Sequence, residues 1–168
     1  MIRKRAAIVM LLSACCVALA GESDKATETP PQAVVRLTNE YRDSQKGAAL
    51  ATDPVLSRVA QDHAENMARQ DKYGDDGKNG HILDGKGPKD RVDASGYKYR
   101  AFAENVGMNN GYADPVKAVI EAWIKSELHK KNMLNEVYVE MGAGAARSES
   151  GKWYFCQVFG KPRVSGKK

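Results

Sequence analysis

The chain has 168 residues and a formal charge of +5. That length holds one domain with a real core and excludes two. The charge falls to +2 once Arg3, Lys4 and Arg5 of the N-terminal segment are set aside, which is too little to suggest nucleic acid as a partner.

Met1 to Ala20 reads as an export signal: a basic start at residues 3–5, then an apolar run from Ala6 to Leu12 that is too short to span a bilayer. Two processing sites compete. Leu12-Ser13-Ala14-Cys15 resembles a bacterial lipobox, which leaves a lipid on Cys15 and tethers the product. Ala18-Leu19-Ala20 fits ordinary signal peptidase, which releases a soluble chain beginning at Gly21. The lipobox is preferred because the apolar run before Cys15 already has the length of a short signal core. The expected location is therefore outside the cytoplasmic membrane, as a tethered lipoprotein or in secreted or periplasmic form, with membrane contact only through the lipid. Cys156 is then the one cysteine of the domain, so no disulfide can form within it.

Residues 21–31 are rich in Glu, Ser, Asp, Thr and Pro and read as a flexible linker, with the domain over 32–162 and a basic tail over 163–168. Val34, Leu37, Thr38 and Tyr41 recur at helical spacing after Thr29-Pro30-Pro31, predicting a first helix that ends before Lys46-Gly47. Asp53-Pro54 opens a second helix in which Leu56, Val59, Ala60, His63 and Met67 share one face. Tyr73 to Gly87 breaks the pattern with five glycines among Asp and Asn, a loop that carries His81. Pro88 to Ser95 predicts one or two helical turns closed by Gly96. Asp114-Pro115 then starts a helix with Val116, Val119, Ile120 and Trp123 on one face. Glu140 to Ala146 and Lys152 to Gly160 read as strands joined by the hairpin signal Ser148-Glu149-Ser150-Gly151. Helices followed by strands, without a repeat, indicate an α+β fold with helices covering a central antiparallel sheet.

Imidazole both ligates metals and exchanges protons near neutrality, so the three histidines carry most of the chemical interest. His63 lies on the apolar stripe of the second helix and reads as a core residue. His81 in its polar loop and His129 after the Trp123 helix have no packing duty, yet nothing like H-E-x-x-H fixes them as ligands, and surface histidines are the plainer reading. Glu104 could be a base, a partner of an imidazole or a structural carboxylate. Ser126 and His129 stand three residues apart without a G-x-S-x-G elbow, which argues against a serine hydrolase. Asp75 to Gly80 departs from EF-hand spacing, and Cys156 in an aromatic strand reads as a buried thiol.

From about Val34 to Gly160 these segments together resemble the CAP superfamily of SCP-like domains, in its bacterial form. Leu37-Thr38-Asn39-Glu40-Tyr41-Arg42 resembles the family's H-N-x-x-R helix, and Ala103-Glu104-Asn105-Val106 its G-E-N segment with alanine for glycine. Trp123 to Asn135 is similar to A-W-x-x-S-x-G-H-R-x-N-I-L-N, with Leu128 where glycine is common, and Tyr154 to Gly160 resembles the closing strand. Asp90-Arg91-Val92 stands between them in the family's order.

The resemblance implies a three-layer α-β-α sandwich and a cleft lined by two histidines and two acidic residues, which in some members holds Zn²⁺ or another divalent cation. His81, Glu104 and His129 match three of the four positions, with His81 and His129 as the metal donors. Ser126 occupies the fourth, and Glu127 is one place along, pointing about 100° away on a continuous helix. Three functions are compatible with this. The preferred one is an extracytoplasmic binding module for a lipid or a cell-envelope component, expected as a monomer. The alternatives are a metal- or histidine-dependent hydrolase using the same cleft and a structural scaffold in the envelope.

Overall fold

A computed structural model describes residues 28–163. The export segment with Cys15, most of the linker and residues 164–168 of the basic tail lie outside the described residues. The elements run α1 (Pro30–Ser44), β1 (Ala51–Thr52), α2 (Pro54–Gln70), α3 (Pro88–Ala94), β2 (Tyr99–Asn109), α4 (Pro115–Lys125), α5 (Glu127–Leu134), β3 (Glu140–Arg147) and β4 (Trp153–Pro162). Among the described residues no helix is long and apolar enough to cross a membrane.

The predicted helix starts are where the capping chemistry puts them. Asp53 accepts from the Leu56 amide at 2.8 Å, Asp114 accepts from the Lys117 amide at 2.9 Å, and a proline follows each cap, where its missing N–H costs nothing. The helix after Trp123 does not continue. Ser126 adopts an extended conformation (φ −85°, ψ 122°), ends α4 and stands at the N-cap position of the separate helix α5 without a side-chain capping bond.

The sheet has the order β1-β3-β4-β2. Its three long strands are antiparallel, and β1 adds a two-residue parallel pairing beside β3. Neither β1 nor β2 has a clear strand signal in the sequence. Helices cover both faces, in the expected three layers. One core joins Leu56, Val59, Ala60, Ala64 and Met67 of α2 and Val92 of α3 to Tyr154, Cys156 and Val158 of β4. The other joins Val34 of α1, Val119 and Trp123 of α4 and Met133 of α5 to Phe155 and Phe159. Alternate residues of β4 serve opposite cores, so the strand reads as an almost unbroken apolar run.

On β3, Met141, Ala143 and Ala145 enter the second core, while Gly142 and Gly144 alternate with them toward α2. A Cβ at Gly142 would lie 2.1 Å from the Ser57 amide nitrogen, and one at Gly144 would lie 2.4 Å from the Ala60 carbonyl carbon. Helix α2 therefore rests directly on the β3 backbone.

Arg42 is 1% exposed. It donates through Nε to the Ala48 carbonyl and through Nη1 to the Met133 carbonyl, each at 2.6 Å, tying the end of α1 to the end of α5. Burial pulls its pKa below the ordinary guanidinium value. Arg42→Met should cost about 3 kcal/mol in denaturant unfolding, because it deprives the Ala48, Met133 and Asn135 carbonyls of a charged donor. An unchanged urea midpoint would show that these bonds are dispensable.

Strand β2 closes one side of the sheet. Four of its carbonyls accept from side chains: Tyr99 from Arg163 Nε (2.8 Å), Phe102 from Tyr138 Oη (3.5 Å), Glu104 from Asn132 Nδ2 (3.4 Å), and Val106 from both Tyr73 Oη and Trp123 Nε1 (3.1 Å each).

Candidate functional site: a histidine cleft astride the edge strand

Strand alternation sends Glu104 and Val106 of β2 toward the α2 side and Asn105 and Gly107 toward α4 and α5. The strand thus lies between the His81 loop on one side and His129 on the other.

Glu104 has a side chain only 2% exposed. Its Oε1 accepts from His81 Nδ1 at 3.0 Å and from Arg91 Nη2 at 2.9 Å. Its Oε2 accepts from Arg91 Nη2 at 2.9 Å and from Cys156 Sγ at 3.5 Å. Burial alone would push the carboxyl pKa up, but the His81 hydrogen bond and the Arg91 charge outweigh it and hold the group below its ordinary value. An ionised carboxylate with about four acceptor sites is fully engaged by these four contacts. Glu104 thus ties the His81 ring, Arg91 and Cys156 together.

His81 is held at three points. Its amide donates to Asn79 Oδ1 at 3.0 Å, its carbonyl accepts from Arg91 Nη2 at 2.9 Å, and its ring meets Glu104. The ring is one-third exposed. His129 sits on α5, its carbonyl accepting from Asn105 Nδ2 at 3.2 Å, and its ring tilts over Trp123 with centroids 6.4 Å apart. Burial, then the nearby His81 charge, lower its pKa.

Beside His129 opens a groove of about 310 Å³, lined by Gly107 and Met108 of β2 and by Asn109, Tyr112, Trp123 and Ser126. Met108 and Tyr112 are exposed at 41% and 62%. Asn109 Nδ2 donates to the Pro115 carbonyl at 2.8 Å, which fixes the amide and leaves Oδ1 as a buried acceptor without a partner among the described residues. The Ser126 hydroxyl does not cap α5.

Of the residues singled out in the sequence, His81 and Glu104 are in contact, and His129 is near enough to sense His81. Ser126 lines the groove with His129. Glu127 is exposed as the first residue of α5. His63 is in the core as expected, 2% exposed and bonded through Nε2 to the Gly80 carbonyl at 2.7 Å. Cys156 is fully buried, with its thiol pKa raised by burial and by Glu104. Arg91, Asn105, Asn109 and Asn132 carry the site without having been singled out as functional. The signals for Arg91 are its place in a short turn that starts with proline beside the histidine loop and the Asp90-Arg91-Val92 match to the family's order. Among the described residues no group of three or more His, Cys, Asp or Glu side chains is arranged to hold a metal ion.

His63, through burial and then the Arg91 charge, also has a pKa below the ordinary imidazole value. As pH falls through the unfolded-state value of about 6.5, the unfolded chain binds protons that native His63 and His129 still refuse. Stability is full above that pH and declines below it until the native pKa values are reached. Thermal unfolding between about pH 8 and 5 should show the decline, and His63→Gln should make it shallower. Equal slopes for the two proteins would exclude His63 as a source.

The sequence profile of the cysteine-rich secretory protein family, CAP, matches residues 35–159. The uncharacterized protein YkwD of Bacillus subtilis (strain 168) is 33% identical over 129 residues, 76% of this chain and 46% of its own length. The chain spans less than half the length of the curated relatives it matches. An outer surface protein from Borrelia burgdorferi superposes with a TM-score of 0.68 at 19% identity, covering 80% of this chain and 93% of its own. An extracellular protein containing a SCP domain from Bacillus anthracis str. Ames does so with a TM-score of 0.64 at 25% identity, over 79% of this chain and 40% of its own. With its three layers, its Glu104-centred cleft and a profile match over nearly the whole described domain, the chain belongs to the CAP family of bacterial type.

Proposed function

We propose that this chain is an exported binding module whose CAP domain takes a lipid or cell-envelope ligand in the groove beside His129. The observation that carries this reading is the contrast in polar satisfaction. Glu104 is fully engaged by protein donors, whereas Asn109, a residue of the groove wall, keeps a buried Oδ1 without a partner among the described residues. Ligand sites typically combine apolar walls with a few convergent polar groups, while general-base catalysis needs a base free to reach its proton. A hydrolase built on this cleft would have His129 as its base, with Glu104 acting only through His81.

Two imidazoles without a third protein ligand favour an exchangeable divalent cation over a resident one, and His81 and His129 are the donors this reading assigns to it. Zn²⁺ titration by calorimetry should give heat with wild type and much less with His81→Ala or His129→Ala. Negligible and equal heats in all three would remove the metal from the proposal.

The ligand reading is tested by titrating ¹⁵N-labelled chain with short-chain phospholipid micelles and with disaccharide-peptide fragments of cell wall. Shifts confined to Gly107, Met108, Asn109, Tyr112 and His129, weakened in Asn109→Ala, support it. No response to either probe overturns it, and turnover of a probe that disappears in His129→Ala replaces it with the hydrolase. Export is supported by the signal in the sequence and by the outer-surface and extracellular descriptions of the structural relatives. A lipid tether at Cys15 predicts that Cys15→Ser moves the protein from the membrane to the soluble fraction, and unchanged fractionation counts against the tether.

A further inference from the structure

We propose that Arg91 is a positioning residue that locks His81 in the tautomer with Nδ1 protonated, so that its Nε2 carries the lone pair. The geometry has two parts. Arg91 Nη2 lies 2.9 Å from each Glu104 oxygen and 2.9 Å from the His81 carbonyl, so one guanidinium nitrogen holds both the acceptor of the imidazole and the backbone that carries it. Nη1 donates to the Lys86 carbonyl at 2.8 Å, anchoring the same side chain to the far end of the loop.

The second part is chemical. Arginine is a permanent cation, and beside it a carboxylate that is 2% exposed stays acceptor-only. The atom of His81 facing it, Nδ1 at 3.0 Å, must then be the donor. Free histidine prefers the opposite tautomer, with Nε2 protonated, so the preference at this position has to be imposed. Remove Arg91 and both Glu104 oxygens and the His81 carbonyl lose their shared donor, which frees the carboxylate and the ring to turn. Lysine restores the charge but has no second nitrogen to hold the Lys86 carbonyl while the first reaches Glu104 and the His81 carbonyl.

The consequence for the cleft is definite: His81 offers it a fixed lone pair and no N–H. Any partner of that atom, a metal or a ligand donor, meets an acceptor whose direction is set by Arg91 through the Glu104 carboxylate. This inference concerns the unliganded chain, so it stands or falls independently of the groove ligand.

The test is imidazole ¹⁵N spectroscopy of the full chain at about pH 8.5, above the ordinary imidazole range, with His81 assigned by comparison with His81→Gln. Wild type should show the Nδ1–H pattern. Arg91→Gln should lose it in favour of Nε2–H or an averaged signal, and Arg91→Lys should restore it in part. An Nε2–H pattern in wild type overturns the proposal, as does a folded Arg91→Gln with the wild-type pattern. If Arg91→Gln fails to fold, the wild-type Arg91 Nη protons decide. Resolved, slowly exchanging signals support the lock, and a freely rotating, averaged guanidinium overturns it.

Discussion

Gly144→Val should cost at least about 3 kcal/mol and leave little native protein at 37 °C, a large share of the stability expected for a domain of this size. The collision is with main chain. The first atom of any side chain at Gly144 would lie 2.4 Å from the carbonyl group of Ala60, and α2 cannot yield locally because its buried face is already packed against β4. Relief would require the helix to lift off the sheet, opening a gap along the first core. Gly142→Ala belongs to the same class, with a still closer approach to Ser57. Gly87→Ala is the control: a Cβ there meets only Asp90 Oδ2 at 3.6 Å, and its effect should stay below about 1 kcal/mol. Urea unfolding of the three variants checks the series, and a Gly144→Val midpoint near wild type would mean that α2 does not sit on the β3 backbone.

Glu104→Ala should cost about 3–5 kcal/mol, the range seen when one partner is removed from a buried ion pair. The loss is larger than the pair's own value because Arg91, with a side chain only 13% exposed, is left charged and uncompensated. Glu104→Ala combined with Arg91→Leu should therefore be more stable than Glu104→Ala alone, a non-additivity that a double-mutant cycle reads directly. The same carboxyl makes an acid signature. Its folded pKa lies below the ordinary 4.5, so its contribution is complete above that value and is lost as pH falls through the folded pKa. Glu104→Gln should flatten the acid limb of the stability profile below about pH 4.5, and an acid limb identical to wild type would assign it to other carboxyls.

The helices and the β3–β4 hairpin were legible because their signals are local. Asp-Pro caps, 3.6-residue apolar spacing and a glycine-containing turn act within a few residues of each other. Strand β2 was not, because its centre breaks alternation: Glu104 and Asn105 are adjacent, polar and both buried, each serving a different side of the sheet. A strand with buried polar groups on both faces lacks the alternation that would identify it. Strand β1 is two residues long and exists only through β3. The break at Ser126 was equally hidden, since nothing in Lys125-Ser126-Glu127 forbids a continuous helix.

The candidate site divides the same way. His81, Glu104 and His129 could be grouped only through family resemblance, because they lie far apart in sequence on three different segments. Arg91 was invisible as a functional residue: its role depends on the His81 loop folding back over α3, which no local pattern announces.

The side chains that serve the β2 carbonyls bear on how this domain meets other molecules. An open sheet border is a template on which any extended chain can dock by main-chain pairing, and at high local concentration it invites self-assembly. Here Tyr138, Asn132, Tyr73 and Trp123 occupy the acceptors between Phe102 and Val106, and the opposite border, β1, is two residues long. Indiscriminate strand addition is thus disfavoured at both borders. Recognition is left to side-chain chemistry, and the same aromatic groups that shape the groove also keep neighbouring copies from fusing into one continuous sheet.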